Sequence, residues 1–306
     1  MSMAGTAKFG IAAALVVGVA LVGTYVFAVA PHRQPATVWA ATTAPDITNG
    51  KRMFFAGGCS SCHAAPGASG DARLLLTGGV ALKTQFGTFH VPNISPDPKA
   101  GIGQWTLAEF GDAVTRGIGP SGENLYPAFP YTSYARMKPQ DVADLYGYLK
   151  TLPVSGNVAP PHELGFPFNQ RLALTGWKLL FLNDKPRVIL ASADAQVQRG
   201  QYLVEGPGHC GECHTPRNVI GGLKVDQWLA GGPNPEGEGR IPDITPGSDS
   251  IGKWSQDEIA NYLETGFTPD FDSVGGSMVE VQKNLAELPA EDRAAIAAYL
   301  KAIPAK

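Results

Sequence analysis

The chain has 306 residues, room for two domains of ordinary size, with 24 Lys and Arg against 27 Asp and Glu and a formal net charge of -3. It lacks the concentrated basic charge of a nucleic-acid-binding domain, which excludes nucleic acid as a partner. Four cysteines are too few for a disulfide scaffold.

In chain order, residues 9–30 come first, 22 positions without a charged side chain. At 1.5 Å per residue they are long enough to span the ~30 Å hydrocarbon core of a membrane. A cleaved signal peptide is the rival reading, because Ala28-Val29-Ala30 resembles a processing site. The run is long for a signal and Pro31 suits a cut poorly, so an uncleaved anchor over residues 1–30 is expected. Residues 31–45, rich in Pro, Ala and Thr, read as a flexible tether.

All four cysteines fall in two copies of one pattern, Cys59-Ser60-Ser61-Cys62-His63 and Cys210-Gly211-Glu212-Cys213-His214. C-x-x-C-H is the attachment site of a c-type haem. Two thiols three positions apart on one helical turn reach the two vinyl groups of a porphyrin as thioethers, and the next residue presents its imidazole to the iron. A thioredoxin-like redox pair or a zinc site would use the same residue types. The doubled motif and the lack of any further cysteine favour two covalently bound haem c groups, with Cys59, Cys62, Cys210 and Cys213 as attachment points and His63 and His214 as iron ligands.

The motifs lie within a longer repeat. Pro92 corresponds to Pro242, Trp105 to Trp254 and Leu149 to Leu300, each offset by about 150 residues, like His63 and His214. A near-constant offset over four landmarks marks two copies of one domain. Each copy is expected to open with a short helix around Gly50-Lys51-Arg52-Met53-Phe54-Phe55 or Gly200-Gln201-Tyr202-Leu203-Val204. A second helix follows each Trp, over 106–116 and 255–265, with Thr106 and Ser255 as N-caps and Glu109 and Glu258 completing capping boxes. Pro139 and Pro289 stand where a last helix begins, a position that tolerates the missing N–H. Strand signals are almost absent. Residues 156–192 read as an ordered, partly helical crossover.

On these landmarks the chain resembles a tandem class I cytochrome c. More narrowly, the fragments FGTFHVPNISPDPKAGIGQW, GENLYPAFPYTSYARM and GSMVEV are similar to the cytochrome c subunits of membrane-bound periplasmic dehydrogenases for alcohols, gluconate and aldehydes. Those subunits commonly carry three haems, where this chain has two motifs. The expected fold class is all-α: two tandem class I cytochrome c domains, over 46–155 and 193–306, preceded by one transmembrane helix.

The resemblance implies several roles. Met278 is the sixth iron ligand of the second copy. The same separation from His63 falls near Phe129, which cannot ligate iron, so the first copy departs from the pattern. Met137 is the first candidate there, ahead of an open or water-bound iron and then His90. Pro92 and Pro242 accept from the proximal imidazoles, and Trp105 and Trp254 bond the haem propionates. His32, His162 and His209 are read as solvated or structural. No acid/base pair, nucleophile triad or phosphate loop is present. The function implied is a dihaem c-type cytochrome at the bacterial inner membrane, its haem domains facing the periplasm. It would take electrons from a periplasmic dehydrogenase and deliver them to a terminal oxidase or a soluble cytochrome. The rival is a peroxidase-like enzyme using an open iron in the first copy.

Overall fold

The computed structural model describes residues 17–20, 32–190, 194–234, 237 and 239–306. Two helix pairs organise it. In the first half, α2 (Ile47–Ala56) starts at Asp46, whose carboxylate accepts from the Thr48 and Asn49 amides at 2.8 and 3.1 Å, an ordinary N-cap. It buries Met53, Phe54 and Phe55 and crosses α6 (Pro139–Leu149), which begins on Pro139 as expected. In the second half, α8 (Ala195–Glu205) crosses α12 (Ala290–Ala302) in the same way. Both crossings need glycine. A Cβ at Gly50 would collide with the Asp144 carbonyl, and one at Gly200 with the Ala295 carbonyl. Each pair is therefore closer than side chains permit, and one buried apolar cluster runs through both halves.

Between the paired helices each half carries the same shorter pieces. These are α3 (Cys59–His63) and α4 (Leu107–Arg116) in the first half, and α9 (Gly211–His214) and α10 (Gln256–Thr265) in the second. Both capping boxes form: Glu109 N reaches Thr106 Oγ1 at 3.2 Å, and Glu258 N reaches Ser255 Oγ at 3.2 Å. Lys150 Nζ donates to the Ile102 carbonyl at 3.1 Å, and Lys301 Nζ to those of Gly252 and Trp254 at 2.7 and 3.0 Å. The last helix of each half thus holds the loop that carries its Trp. One short helix precedes the last helix of each half, α5 (Tyr131–Tyr134) and α11 (Met278–Leu285), here called the distal helices, and α7 (Ala173–Phe181) lies in the crossover.

The structure departs from an all-α fold. β1 (Ala81–Thr84) and β2 (Gly87–His90) form a hairpin, and β3 (Glu163–Leu164) adds antiparallel to β2 through Thr88 and Glu163. A second small sheet pairs β4 (Gly232–Pro233) with β5 (Arg240–Ile241). The strands are two to four residues long, too short to show a period, and β3 comes from the distant crossover. The transmembrane helix is also corrected. Among the described residues no helix is long and apolar enough to cross a membrane. The apolar stretch of the crossover folds as α7, nine residues long, below the ~20 that a span requires. The expected anchor lies outside the described residues except for 17–20, which are helical.

Residues 32–45, within the segment expected to be a flexible tether, are held as a strap. Arg33 pairs with the buried Asp112 carboxylate at 3.1 Å, and the Gln34 amide donates to the same group at 2.9 Å. α1 (Ala36–Ala40) then lays Trp39, 6% exposed, against Gly111 of α4. Its Ala- and Thr-rich composition hid one large aromatic anchor, Trp39.

The halves are joined by reciprocal contacts. Asp141 accepts from Asn49 of its own half at 2.7 Å and from the Tyr202 hydroxyl of the other. Its counterpart Asp292 accepts from Arg199 of its own half at 2.8 and 3.0 Å and from Arg52 of the other. The inner residues of the two C-x-x-C-H motifs also cross over. Ser60 and Ser61 bond Asn284 of α11, each at 2.8 Å. Glu212 accepts from Thr132 and Ser133 of α5 at 3.0 and 2.7 Å.

Candidate haem-binding sites

In the first half, α3 is a single turn that carries Cys59, Cys62 and His63 together. The imidazole of His63 is oriented from behind, with Nδ1 2.8 Å from the Pro92 carbonyl oxygen. A carbonyl only accepts, so Nδ1 carries the proton and the Nε2 lone pair points away, toward a ligand position. In the second half, His214 Nδ1 lies 2.8 Å from the Pro242 carbonyl. Burial lowers the His63 pKa to about 4 against the opposing effect of the Pro92 bond, and lowers that of His214 as well. Both rings are neutral at pH 7, the state in which imidazole binds metal.

Each histidine is also held through its backbone. The Gly78 amide donates to the His63 carbonyl and the Gly231 amide to the His214 carbonyl, both at 2.7 Å. Both glycines have φ of 69°, and a Cβ on either would strike the segment leading into the proline carbonyl. Only glycine brings the proline that close while taking a left-handed backbone. These two residues were not singled out from the sequence. The repeated Gly-Gly of Thr77-Gly78-Gly79 and Ala230-Gly231-Gly232 was the available signal.

Cys59 and Cys210 are not poised for thiol–disulfide exchange. Burial pushes Cys59 and Cys210 up to about 12, far from a ready thiolate. Among the described residues no group of three or more His, Cys, Asp or Glu side chains is arranged to hold a metal ion. The residues present therefore fit a haem: two thiols and a neutral, oriented imidazole on one turn, in each half.

The remaining predicted residues are placed as follows. Trp105 and Trp254 are half-buried beside the core, Trp105 accepting at its carbonyl from Tyr146 and Trp254 packing on Tyr262 at 5.3 Å. Met278 opens α11, half-buried against the core. Met137 is 6% exposed, just past α5, with the Phe129 ring packed on Tyr134 at 5.6 Å. His90 lies on β2, with Nε2 3.0 Å from Glu163 of β3 and its backbone amide donating to His162 at 3.1 Å. The ring of His90, the last of the three alternatives for the first iron, thus pairs with a side chain of the crossover.

Comparison with known proteins agrees with this arrangement. The Cytochrome c family profile matches residues 47–153. The "Diheme cytochrome c-type" protein of Cereibacter sphaeroides is 57% identical over 260 residues, covering 85% of this chain and 86% of the relative. The "Fructose dehydrogenase cytochrome subunit" of Gluconobacter japonicus is 37% identical over 266 residues, 86% of this chain and 53% of its own. The "Alcohol dehydrogenase (quinone), cytochrome c subunit" of Gluconobacter oxydans is 34% identical over 281 residues, 85% of this chain and 55% of its own. The chain thus spans nearly all of the first relative and about half the length of the other two. A covalently bound haem c is the cofactor this family carries, and the chain belongs to the c-type cytochromes.

Proposed function

We propose that the chain binds two haem c groups and relays electrons from a periplasmic dehydrogenase of the alcohol or sugar class to an oxidase or a soluble cytochrome. The observation that carries this reading is the repeated unit: two cysteines and a histidine on one turn, with the histidine Nδ1 2.8 Å from a proline carbonyl in both halves. The first unit lies in a haem domain over 46–155 and the second in one over 193–306, on the periplasmic side. When bound, the haem iron supplies one-electron oxidation and reduction. The protein supplies everything that tunes it. Cys59, Cys62, Cys210 and Cys213 would attach the groups, and His63 and His214 would ligate the iron with tautomers set by Pro92 and Pro242. Met278 would ligate the iron in the second half and Met137 in the first, while Trp105 and Trp254 would serve the propionates.

The count is tested on purified protein. After denaturation and acid-acetone extraction, a pyridine haemochrome assay is expected to give two equivalents per chain. One equivalent, or pigment lost to the acetone, overturns the reading.

The distal ligands have separate outcomes. Met278→Ala is expected to make one haem high-spin and lower its potential by a substantial part of the ~0.8 V range that axial ligands span. Met137→Ala is expected to do the same to the other haem. Spectra resolved through a redox titration check both, and a low-spin spectrum that survives Met137→Ala removes Met137 as a ligand. Carbon monoxide binding by the unaltered ferrous protein would point to an open iron instead.

A further inference from the structure

His209 immediately precedes Cys210, where the first copy has Gly58. Both take a left-handed backbone, with φ of 39° at His209 and 55° at Gly58. Glycine takes this conformation freely and an L side chain does not, so a histidine kept there needs compensation from its contacts. Those contacts cross to the other half. His209 Nε2 lies 3.2 Å from the Gly57 carbonyl oxygen, and because a carbonyl only accepts, the ring donates. The Tyr134 hydroxyl donates to the same oxygen at 3.1 Å, and the two rings meet edge to face with centroids 5.5 Å apart. Gly57 stands two residues before Cys59. A Cβ added there would sit 3.5 Å from Cys59 Sγ and 3.6 Å from the Pro207 carbonyl, so Gly57 faces both its own motif and the loop entering the other.

Other bonds cross between the halves near the motifs, but they end elsewhere. Ser60 reaches Asn284, and Glu212 reaches Thr132 and Ser133, all on the distal helices. Among the described residues, the His209–Gly57 bond joins the loop entering one motif directly to the loop entering the other.

We propose that His209 positions the electron path between the two haems, coupling Cys210 to Cys59 through its hydrogen bond to Gly57. One electron leaves the ferrous group of one half and arrives at the ferric group of the other, with no bond broken and no proton transferred. The inference rests on the two-haem reading above. Without the ring, the hydrogen bond between the two loops is lost and the transfer must cross a through-space gap.

The test uses the full haem-loaded protein and two variants. His209→Gly keeps the left-handed backbone and removes the bond. Tyr134→Phe removes the second donor to the same carbonyl but leaves His209 in place. One haem is reduced rapidly by pulse radiolysis and inter-haem equilibration is followed, with haem-resolved potentials used to correct for driving force. His209→Gly is expected to slow equilibration several-fold, while Tyr134→Phe keeps the parent rate. In the fully reduced, diamagnetic parent, His209 Nε2–H is expected to give a slowly exchanging proton resonance that His209→Gly lacks. An unchanged rate in His209→Gly, equal slowing in both variants, or no protected ring proton in the parent overturns the inference and leaves the two-haem reading standing. Fewer than two covalent haems on the same sample overturns both.

Discussion

Replacing Cys210 and Cys213 together with alanine is expected to halve the covalent haem, from two equivalents per chain to one, and to leave the first half loaded. Cys59→Ala with Cys62→Ala is expected to give the converse, one equivalent held by the second half. The reason is local. Each pair sits on a single turn with its own histidine and its own proline carbonyl, and the two sets share no residue. The paired variants separate attachment from ligation, because His63 and His214 remain. Stability is expected to fall with the pigment, since a covalently held haem stays on the unfolded chain and adds stability through the packing and ligation it makes only in the fold. Denatured-protein haemochrome assays and thermal melts read both effects, and a variant that retains two equivalents would sink the attachment assignment.

Asp292→Ala is expected to destabilise the protein by about 3–5 kcal/mol, the range for removing one partner of a buried ion pair. Its carboxylate is fully buried and bridges two arginines, Arg199 within the second half and Arg52 from the first. The variant leaves Arg199 and Arg52 without their shared counter-charge. Burial alone would raise the Asp292 pKa, but the hydrogen bonds from Arg199 and Arg52 outweigh it and hold the carboxyl below its ordinary value. A depressed folded-state pKa contributes stability that is present above the unfolded pKa and is lost as the pH falls through the folded one. Denaturant melts are therefore expected to show the Asp292 contribution at neutral pH and its loss below about pH 4. A cost under 1 kcal/mol, or one that persists unchanged in acid, would show that the bridge does not hold the halves. Asp141→Ala is expected to cost less, because its donors Asn49 and Tyr202 are neutral.

Legibility followed range. The C-x-x-C-H turns, the two capping boxes, the prolines that open the last helices and the glycines at the helix crossings all act within a few residues or repeat at one offset. Each was visible as a pattern. β3 was not, because two residues from the crossover complete a sheet begun in the first half. Nor was the strap, since nothing local in residues 32–45 announces that Asp112 and Gly111 receive them. His209 was passed over as one histidine among several. Its αL backbone and its partner Gly57, on the opposite loop, appear only in the folded chain.

By itself the sequence determined the local pattern of each half. The C-x-x-C-H spacing and the helix ends are short-range matters of residue type and spacing. Only the tertiary structure decided how the halves meet: which aspartate takes which arginine, that each motif's inner residues rest on the other half's distal helix, and that one histidine joins the two attachment loops. Such contacts pair residues up to 240 positions apart. Their partners are selected by packing around a common core, and a linear spacing rule carries no information about that.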